Sequence, residues 1–190
     1  MPELVIDKAK TALVVIDLQK DIAAQPTKPY LAQDVIKNAA KLVNTFRKNG
    51  MLVFLVHVII TKETMLNVAS DESFSHSAAP SPDWSEFVPE IAPTSKDIVI
   101  VKKQWGAFYG TDLELQLRRR GMDTIVLCGI ATNFGVESTA RFAYEYGFQQ
   151  IFAEDAMASR SEEQHNAAVN FTFKRIGRVR KTDEILRALQ

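Results

Sequence analysis

The sequence predicts an α/β fold with a parallel sheet, and two observations lead to that prediction. Short apolar runs alternate along the chain with amphipathic stretches, which is typical of βαβ units. The central apolar runs are continuous and rich in Val and Ile, as expected for strands covered on both faces. A chain of 190 residues that is 46% hydrophobic can bury one core, so a single domain over residues 1–190 is expected.

Each predicted element has a local signal. The predicted strands are Thr11–Ile16, Leu52–Val58, Asp97–Val101, Thr124–Cys128, Gln150–Ala153 and a weaker one at Gly177–Val179. The predicted helix starts are Asp34 (ending at Asn49-Gly50), Thr111 (ending at Gly121), Thr132 or Asn133 (ending near Gly147), Ser161 in a capping box with Gln164, and Thr182. The stretch 59–94 has no clear period and is predicted to be a lid or binding loop.

The composition argues against several classes of function. Lys and Arg total 23 and Asp and Glu total 23, so no excess charge points to nucleic acid or to an anionic membrane. No apolar run approaches the roughly 18 residues needed to cross a bilayer, and the first residues lack the apolar core of a secretory signal. The single cysteine, Cys128, fits a reducing cytoplasm. Three scattered histidines favour neither a zinc site nor another metal site.

The segment 127–141, LCGIATNFGVESTAR, is the most informative part of the chain. It reads as the end of a buried strand that turns through small residues into a helix. In doubly wound α/β proteins, such turns place polar groups and unpaired N–H groups around a ligand crevice. The position on this turn where a nucleophile could lie is occupied by Gly135.

Asp17 follows the first predicted strand directly, in the sequence VVIDLQK. A carboxylate at the end of a buried strand is poorly solvated, which raises its pKa and suits it to proton transfer. Position alone supports equally well a structural role, as a turn cap or as the partner of a cation. Gln19, two residues further on, is a candidate to face the same side and contact a substrate.

Lys102 follows another strand and stands beside Lys103. A lysine there can hold a carboxylate in its charged form, although a surface pair is the ordinary interpretation of two adjacent lysines. The next residues carry three aromatic side chains, Trp105, Phe108 and Tyr109, which favour an apolar small-molecule pocket. The same aromatics could instead simply pack beneath the loop.

Three motifs, in this order, resemble the isochorismatase-like hydrolases, also called cysteine hydrolases: IDLQ at Asp17, KKQWGAFYGTDL at Lys102, and GIATNFGVESTA. The resemblance covers nearly the whole chain. It implies a three-layer α/β/α sandwich around a six-stranded parallel sheet, Rossmann-like, with strand order 3-2-1-4-5-6. It also implies no cofactor, a small-molecule substrate and a homo-oligomer, dimer or tetramer.

The resemblance also assigns roles to residues. In the amide-hydrolysing relatives an Asp–Lys–Cys triad acts, and its members map onto Asp17, Lys102 and Gly135. A cis peptide bond of the family would fall between Ile130 and Ala131, at the substrate-binding turn. Glycine has no side chain that could attack a substrate, and Cys128, within a strand, is expected to be a buried thiol without a catalytic role.

A second branch of the family has glycine at this position and cleaves vinyl ethers by protonation from the aspartate. This chain departs from that branch, because it has no arginine between Arg47 and Arg118 and has Ala131 where the branch has tyrosine. Two functions therefore remain open. One is a thiol-free hydrolase of a small metabolite other than isochorismate, and the other is a catalytically silent metabolite-binding or interaction protein.

Overall fold

The computed structural model describes residues 4–72 and 81–190. Within these residues six strands form one parallel sheet in the order β3-β2-β1-β4-β5-β6, which confirms the predicted architecture and order. The strands are β1 (Thr11–Ile16), β2 (Val53–Val58), β3 (Ile98–Lys102), β4 (Thr124–Ile130), β5 (Gln149–Ala158) and β6 (Arg178–Arg180).

Helices cover both faces of this sheet. They are α1 (Lys20–Ala23), α2 (Ala32–Lys48), α3 (Leu113–Arg119), α4 (Glu137–Glu145), α5 (Glu162–Ala167), α6 (Lys174–Ile176) and α7 (Thr182–Ala188). A 3₁₀ turn spans Pro89–Ile91, and π-helical segments span Thr132–Val136 and Ala168–Phe173. None of the described helices is long and apolar enough to cross a bilayer.

The core has two halves, one on each side of the sheet, because successive strand side chains point to opposite faces. Leu13 and Val15 of β1 pack with α2 and α7, whereas Ala12 and Val14 pack with α3 and α4. All six residues of β1 are buried, so the continuous apolar run in the sequence reflects a strand covered on both faces.

The helix starts are partly as predicted. Ser161 accepts a hydrogen bond from the Gln164 amide at 3.2 Å, and α7 begins at Thr182, as expected. The prediction that Asp34 caps α2 is wrong, because the helix begins at Ala32 with Leu31 in the capping position. Asp34 instead lies in the first turn, where its charge interacts favourably with the helix dipole.

Two strands are longer than the sequence predicts. β4 continues through Gly129 to Ile130, and β5 continues through Glu154 and Asp155 to Ala158. Charged residues ordinarily mark a strand end, but both carboxylates here have partners. Asp155 accepts hydrogen bonds at 2.7 Å from both the amide and the hydroxyl of Thr182, and so fixes the start of α7.

The predicted loop 59–94 is described only in part, since residues 73–80 lie outside the described residues. Its second half is held against α1. Lys20 forms ion pairs with Asp83 at 2.5 Å and Glu86 at 2.8 Å, and Asp21 accepts a 2.7 Å hydrogen bond from the Ser81 hydroxyl. The sequence predicted neither these contacts nor α1, which has only four residues.

Candidate active site

The strand order reverses between β1 and β4, and the candidate site lies at the carboxyl ends of these two strands. This is the position at which doubly wound sheets bind ligands, because loops leaving the two strands diverge to opposite faces and open a crevice. Asp17 follows β1 directly, with φ +52°, and its amide donates to the Val56 carbonyl of β2 at 2.9 Å. Such a left-handed backbone is unfavourable for a residue with a side chain and is common at functional sites.

Asp17 and Lys102 meet in the interior, although they are 85 positions apart in the sequence. Nζ of Lys102 donates to Oδ2 of Asp17 at 2.7 Å and to the Gln104 carbonyl at 2.9 Å. The two residues are only 5% and 1% exposed. Lys102 ends β3, so its side chain reaches past β2 to meet Asp17 at the end of β1.

The Asp17 carboxyl is under two opposing influences. Burial disfavours the charged form and has the larger effect, while the ammonium of Lys102 favours it, and the net result raises the pKa of Asp17 to about 6. Oδ1 of this carboxyl has no hydrogen-bond partner among residues 4–72 and 81–190. The site therefore holds an acid that gains and loses its proton near neutral pH, with one oxygen uncommitted.

Gly135 lies on the turn that faces this pair, within the π-helical segment after β4. The expected cis bond between Ile130 and Ala131 is present. An ideal Cβ placed on Gly135 would lie 2.9 Å from Cγ2 of Ile16 and 3.0 Å from Oδ2 of Asp17. Backbone thus approaches the carboxylate so closely that a side chain at this position would require its neighbours to move.

Substitution of Gly135 by alanine should therefore destabilise the protein. In an unconstrained helical position Gly→Ala is stabilising, but crowding against Ile16 and Asp17 reverses the sign here, and we expect a loss of about 1–3 kcal/mol. Gly106→Ala is the matched control, because its added Cβ would meet its nearest neighbours at 3.5 Å or more. Urea denaturation of both variants measures the difference. Equal stability of the two would contradict the close approach.

Three further residues that the sequence predicted to bind substrate, Gln19, Ile130 and Ala131, are buried or half-buried. Gln19 is fully buried, and its amide is bonded to both backbone groups of Val58, as donor at 3.0 Å and acceptor at 2.8 Å. In this arrangement it holds the start of α1 against β2. Ile130 is buried in the core on the α2 side, and Ala131 is half-buried at the turn.

The three aromatics after Lys102 also occupy different environments. Phe108 is buried and packs against Tyr146 and Phe148 in the core. Its position agrees with the alternative that the aromatics pack beneath the loop. Trp105 is 52% exposed and lies edge-on to Phe134 of the turn, with ring centroids 4.9 Å apart. Tyr109 is 69% exposed.

Three further features of the structure bear on possible chemistry. Cys128 is buried in β4, and burial raises the pKa of its thiol to about 12, which leaves it protonated. Among the described residues, no group of three or more His, Cys, Asp or Glu side chains could hold a metal ion. A surface depression of about 350 Å³, lined in part by Tyr30, Lys37 and Lys181, lies beside α2 rather than at Asp17.

The sequence did not reveal one polar network that reaches the turn. Thr132, directly after the cis bond and Ala131, contacts buried His165, which in turn contacts Glu154 of β5. The only signal available was a charged residue continuing an apolar strand. That signal marks a carboxylate requiring partners but does not say which residues supply them.

Comparison with known proteins agrees with this architecture. A family model described as the isochorismatase domain matches residues 11–184. The isochorismatase family protein YwoC from Bacillus subtilis is 52% identical over 188 residues, which cover 98% of this chain and 97% of that protein.

Solved structures give the same result. An isochorismatase family protein from Burkholderia thailandensis aligns with a TM-score of 0.91 and 40% identity, covering 97% of each chain. N-carbamoylsarcosine amidase from Thermoplasma acidophilum aligns with a TM-score of 0.74 and 29% identity, covering 92% of this chain and 97% of the amidase. The chain therefore belongs to the isochorismatase family, a family of hydrolases.

Proposed function

We propose that this protein is a thiol-free hydrolase that cleaves a vinyl ether or a related bond in a small metabolite. The observation that carries the proposal is the buried Asp17–Lys102 pair, 2.7 Å apart, facing a turn whose residue 135 is glycine. An acid is present, a cation sets its proton affinity, and no side chain at position 135 can attack a substrate. Chemistry that requires an acid and water, but no covalent intermediate, suits this set of groups.

The proposed reaction begins with proton transfer from Asp17 to the terminal vinyl carbon of the substrate. The resulting oxocarbenium ion adds water at the carbon that bears the ether oxygen. A proton from that water returns to Asp17, and the hemiketal collapses to an alcohol and a ketone. In this scheme Oδ1 carries the transferred proton, because Oδ2 accepts the hydrogen bond from Lys102 and the buried Oδ1 has no hydrogen-bond partner among the described residues.

Lys102 has two effects in this scheme. Its ammonium holds the pKa of Asp17 below the value that burial alone would produce, so the acid can also release its proton. After proton transfer it stabilises the carboxylate. The backbone near Ala131 and Gly135 is the proposed cradle for a carboxylate group of the substrate.

Two of the aromatic side chains in the loop after Lys102 are exposed. Trp105 and Tyr109 expose more than half of their surface. We include in the proposal a homo-oligomer in which a second copy of the chain covers these rings and closes the pocket. Gln19 contributes by holding α1 in place rather than by touching substrate.

The proposal predicts a specific dependence on pH. Protonated Asp17 is the reactive form, so kcat/KM on a small vinyl ether should be highest below pH 6 and fall about tenfold per unit above it. The measurement is initial rate against pH with a panel of vinyl ethers, with and without a carboxylate group, and a parallel panel of amides. A rate that rises through pH 6 would assign Asp17 as a base instead and contradict the scheme.

The same panel separates this proposal from a silent binding protein. A binding protein would raise its melting temperature with a panel member and release no alcohol. Product formed in proportion to enzyme concentration counts against that alternative.

A further inference from the structure

A chain of polar side chains runs from the protein surface to the turn that faces Asp17. The hydroxyl of Thr132 is 2.9 Å from Nδ1 of His165, and Nε2 of His165 is 3.2 Å from Oε1 of Glu154. Glu154 also accepts hydrogen bonds from the Tyr30 hydroxyl at 2.9 Å and from Lys181. Thr132 and His165 are fully buried, whereas Lys181 is at the surface.

The charge of Glu154 fixes the direction of its hydrogen bond with His165. Hydrogen bonds from His165, Lys181 and Tyr30 outweigh burial and lower the pKa of Glu154 to about 2, so it is ionised at neutral pH. An ionised carboxylate only accepts, so Nε2 of His165 donates to it. The other ring nitrogen, Nδ1, is hydrogen-bonded to the Thr132 hydroxyl. Each member orients the next.

The turn is held by side-chain contacts at its two flanks and, between them, by Asn133, whose amide oxygen accepts a hydrogen bond from the Ser159 hydroxyl. Gly135 has no side chain that could anchor it, and its carbonyl accepts a 2.6 Å hydrogen bond from the Thr139 hydroxyl, which also accepts from the Ala107 amide at 3.1 Å. That contact holds one end of the turn. Thr132, at the other end, is held by the His165 network. Between them the backbone of Gly135 covers Asp17.

We propose that Glu154 and His165 are positioning residues of the candidate active site, acting through Thr132 to hold the turn that shields Asp17 from water. The inference rests on the site proposed above. Its test measures the pKa of the Asp17 carboxyl and not catalysis. The inference can therefore fail while vinyl-ether hydrolysis is observed, and it can hold where no hydrolysis is observed. If the turn loosens, water reaches Asp17 and the main cause of its unusual proton affinity is lost.

The experiment is a carbon-13 NMR titration of the Asp17 carboxyl in the wild type and in Thr132→Val, Thr132→Ser and Glu154→Gln. Thr132→Val removes one hydroxyl and keeps the side-chain shape, and Glu154→Gln removes the charge. We expect both to lower the pKa of Asp17 by about one unit or more, toward the ordinary value of about 3.9. Thr132→Ser retains the hydroxyl and should titrate like the wild type.

A control separates positioning from general stability. Arg47 and Asp97 form another partly buried ion pair, 2.6 Å apart. Asp97 directly precedes β3 and so lies at the amino-terminal end of that strand, whereas the site lies at the carboxyl ends of the strands. Arg47→Gln should lower the melting temperature without moving the Asp17 titration. If Thr132→Val and Glu154→Gln also lower the melting temperature but leave the pKa of Asp17 unchanged or raised, the network is merely structural and the proposal is overturned. Thr132→Val decides alone if the Glu154 variant does not fold.

Discussion

Asp17→Asn should lower kcat/KM for the best vinyl-ether substrate by about 10²–10⁴-fold, the usual contribution of a general acid. Asparagine has nearly the same shape as aspartate, but its amide cannot transfer a proton to carbon. The buried position of Asp17 makes replacement by solvent inefficient, because the residue is only 5% exposed. Initial rates at pH 5.5 measure the loss, and activity equal to that of the wild type would remove Asp17 from the mechanism.

The control for this variant must address stability. Asp17→Asn leaves the ammonium of Lys102 buried without its counter-charge, which is itself destabilising. The double variant Asp17→Asn/Lys102→Met removes both charges and should regain much of the lost stability while remaining inactive. Recovery of activity together with stability would mean that the single variant was inactive only because it unfolds.

Lys102→Met should have the largest effect on stability of any single substitution discussed here. It leaves the Asp17 carboxylate buried and unpaired, and breaking a buried pair in this way costs about 3–5 kcal/mol. The loss should be larger at pH 8 than at pH 5. Urea denaturation of wild type and variant at the two pH values gives both differences.

The pH dependence follows from the direction of the pKa shift. Burial already raises the pKa of Asp17 to about 6, and loss of the ammonium raises it further. A carboxyl whose folded-state pKa is raised binds more protons in the folded than in the unfolded state, so its cost grows as pH rises from about 4 through the folded pKa. At pH 5 the variant carboxyl is protonated, and the unpaired charge disappears.

Lys103→Met is the matched control for Lys102→Met. Lys103 is adjacent in sequence and exposed, and its ammonium makes only a long contact of 3.4 Å with the Ile59 carbonyl. We expect its substitution to change stability by less than about 0.5 kcal/mol at either pH. A comparable loss in both variants would indicate an effect of the loop rather than of the buried pair.

The fold could be predicted from the sequence because its signals are local. Alternating apolar and amphipathic segments identify strands and helices, and the family resemblance supplied the strand order. Strand ends were less predictable. Gly129 and Glu154 look like terminators, but β4 and β5 continue through them because neighbouring strands and the partners of Glu154 satisfy the backbone and the charge.

The candidate site was also predictable in part, because two of its residues have a local sequence signal. Asp17 and Lys102 stand directly at strand ends, and a parallel sheet brings such ends to one edge. Gln19 and Phe108 have equally suggestive positions, yet one is bonded to Val58 and the other packs in the core. Side-chain direction after a strand depends on the path of the loop, which the pattern of residue types does not encode.

By itself, the sequence determined the parallel α/β architecture, the chemical groups available at the crevice and the lack of a thiol at position 135, because all of these follow from residue type and local spacing. Only the tertiary structure decided that Asp17 and Lys102 touch, that burial outweighs their attraction in setting the pKa of Asp17, and that His165 links Glu154 to the turn. Distance and desolvation belong to the assembled neighbours of a group, and those neighbours come from segments far apart in the chain.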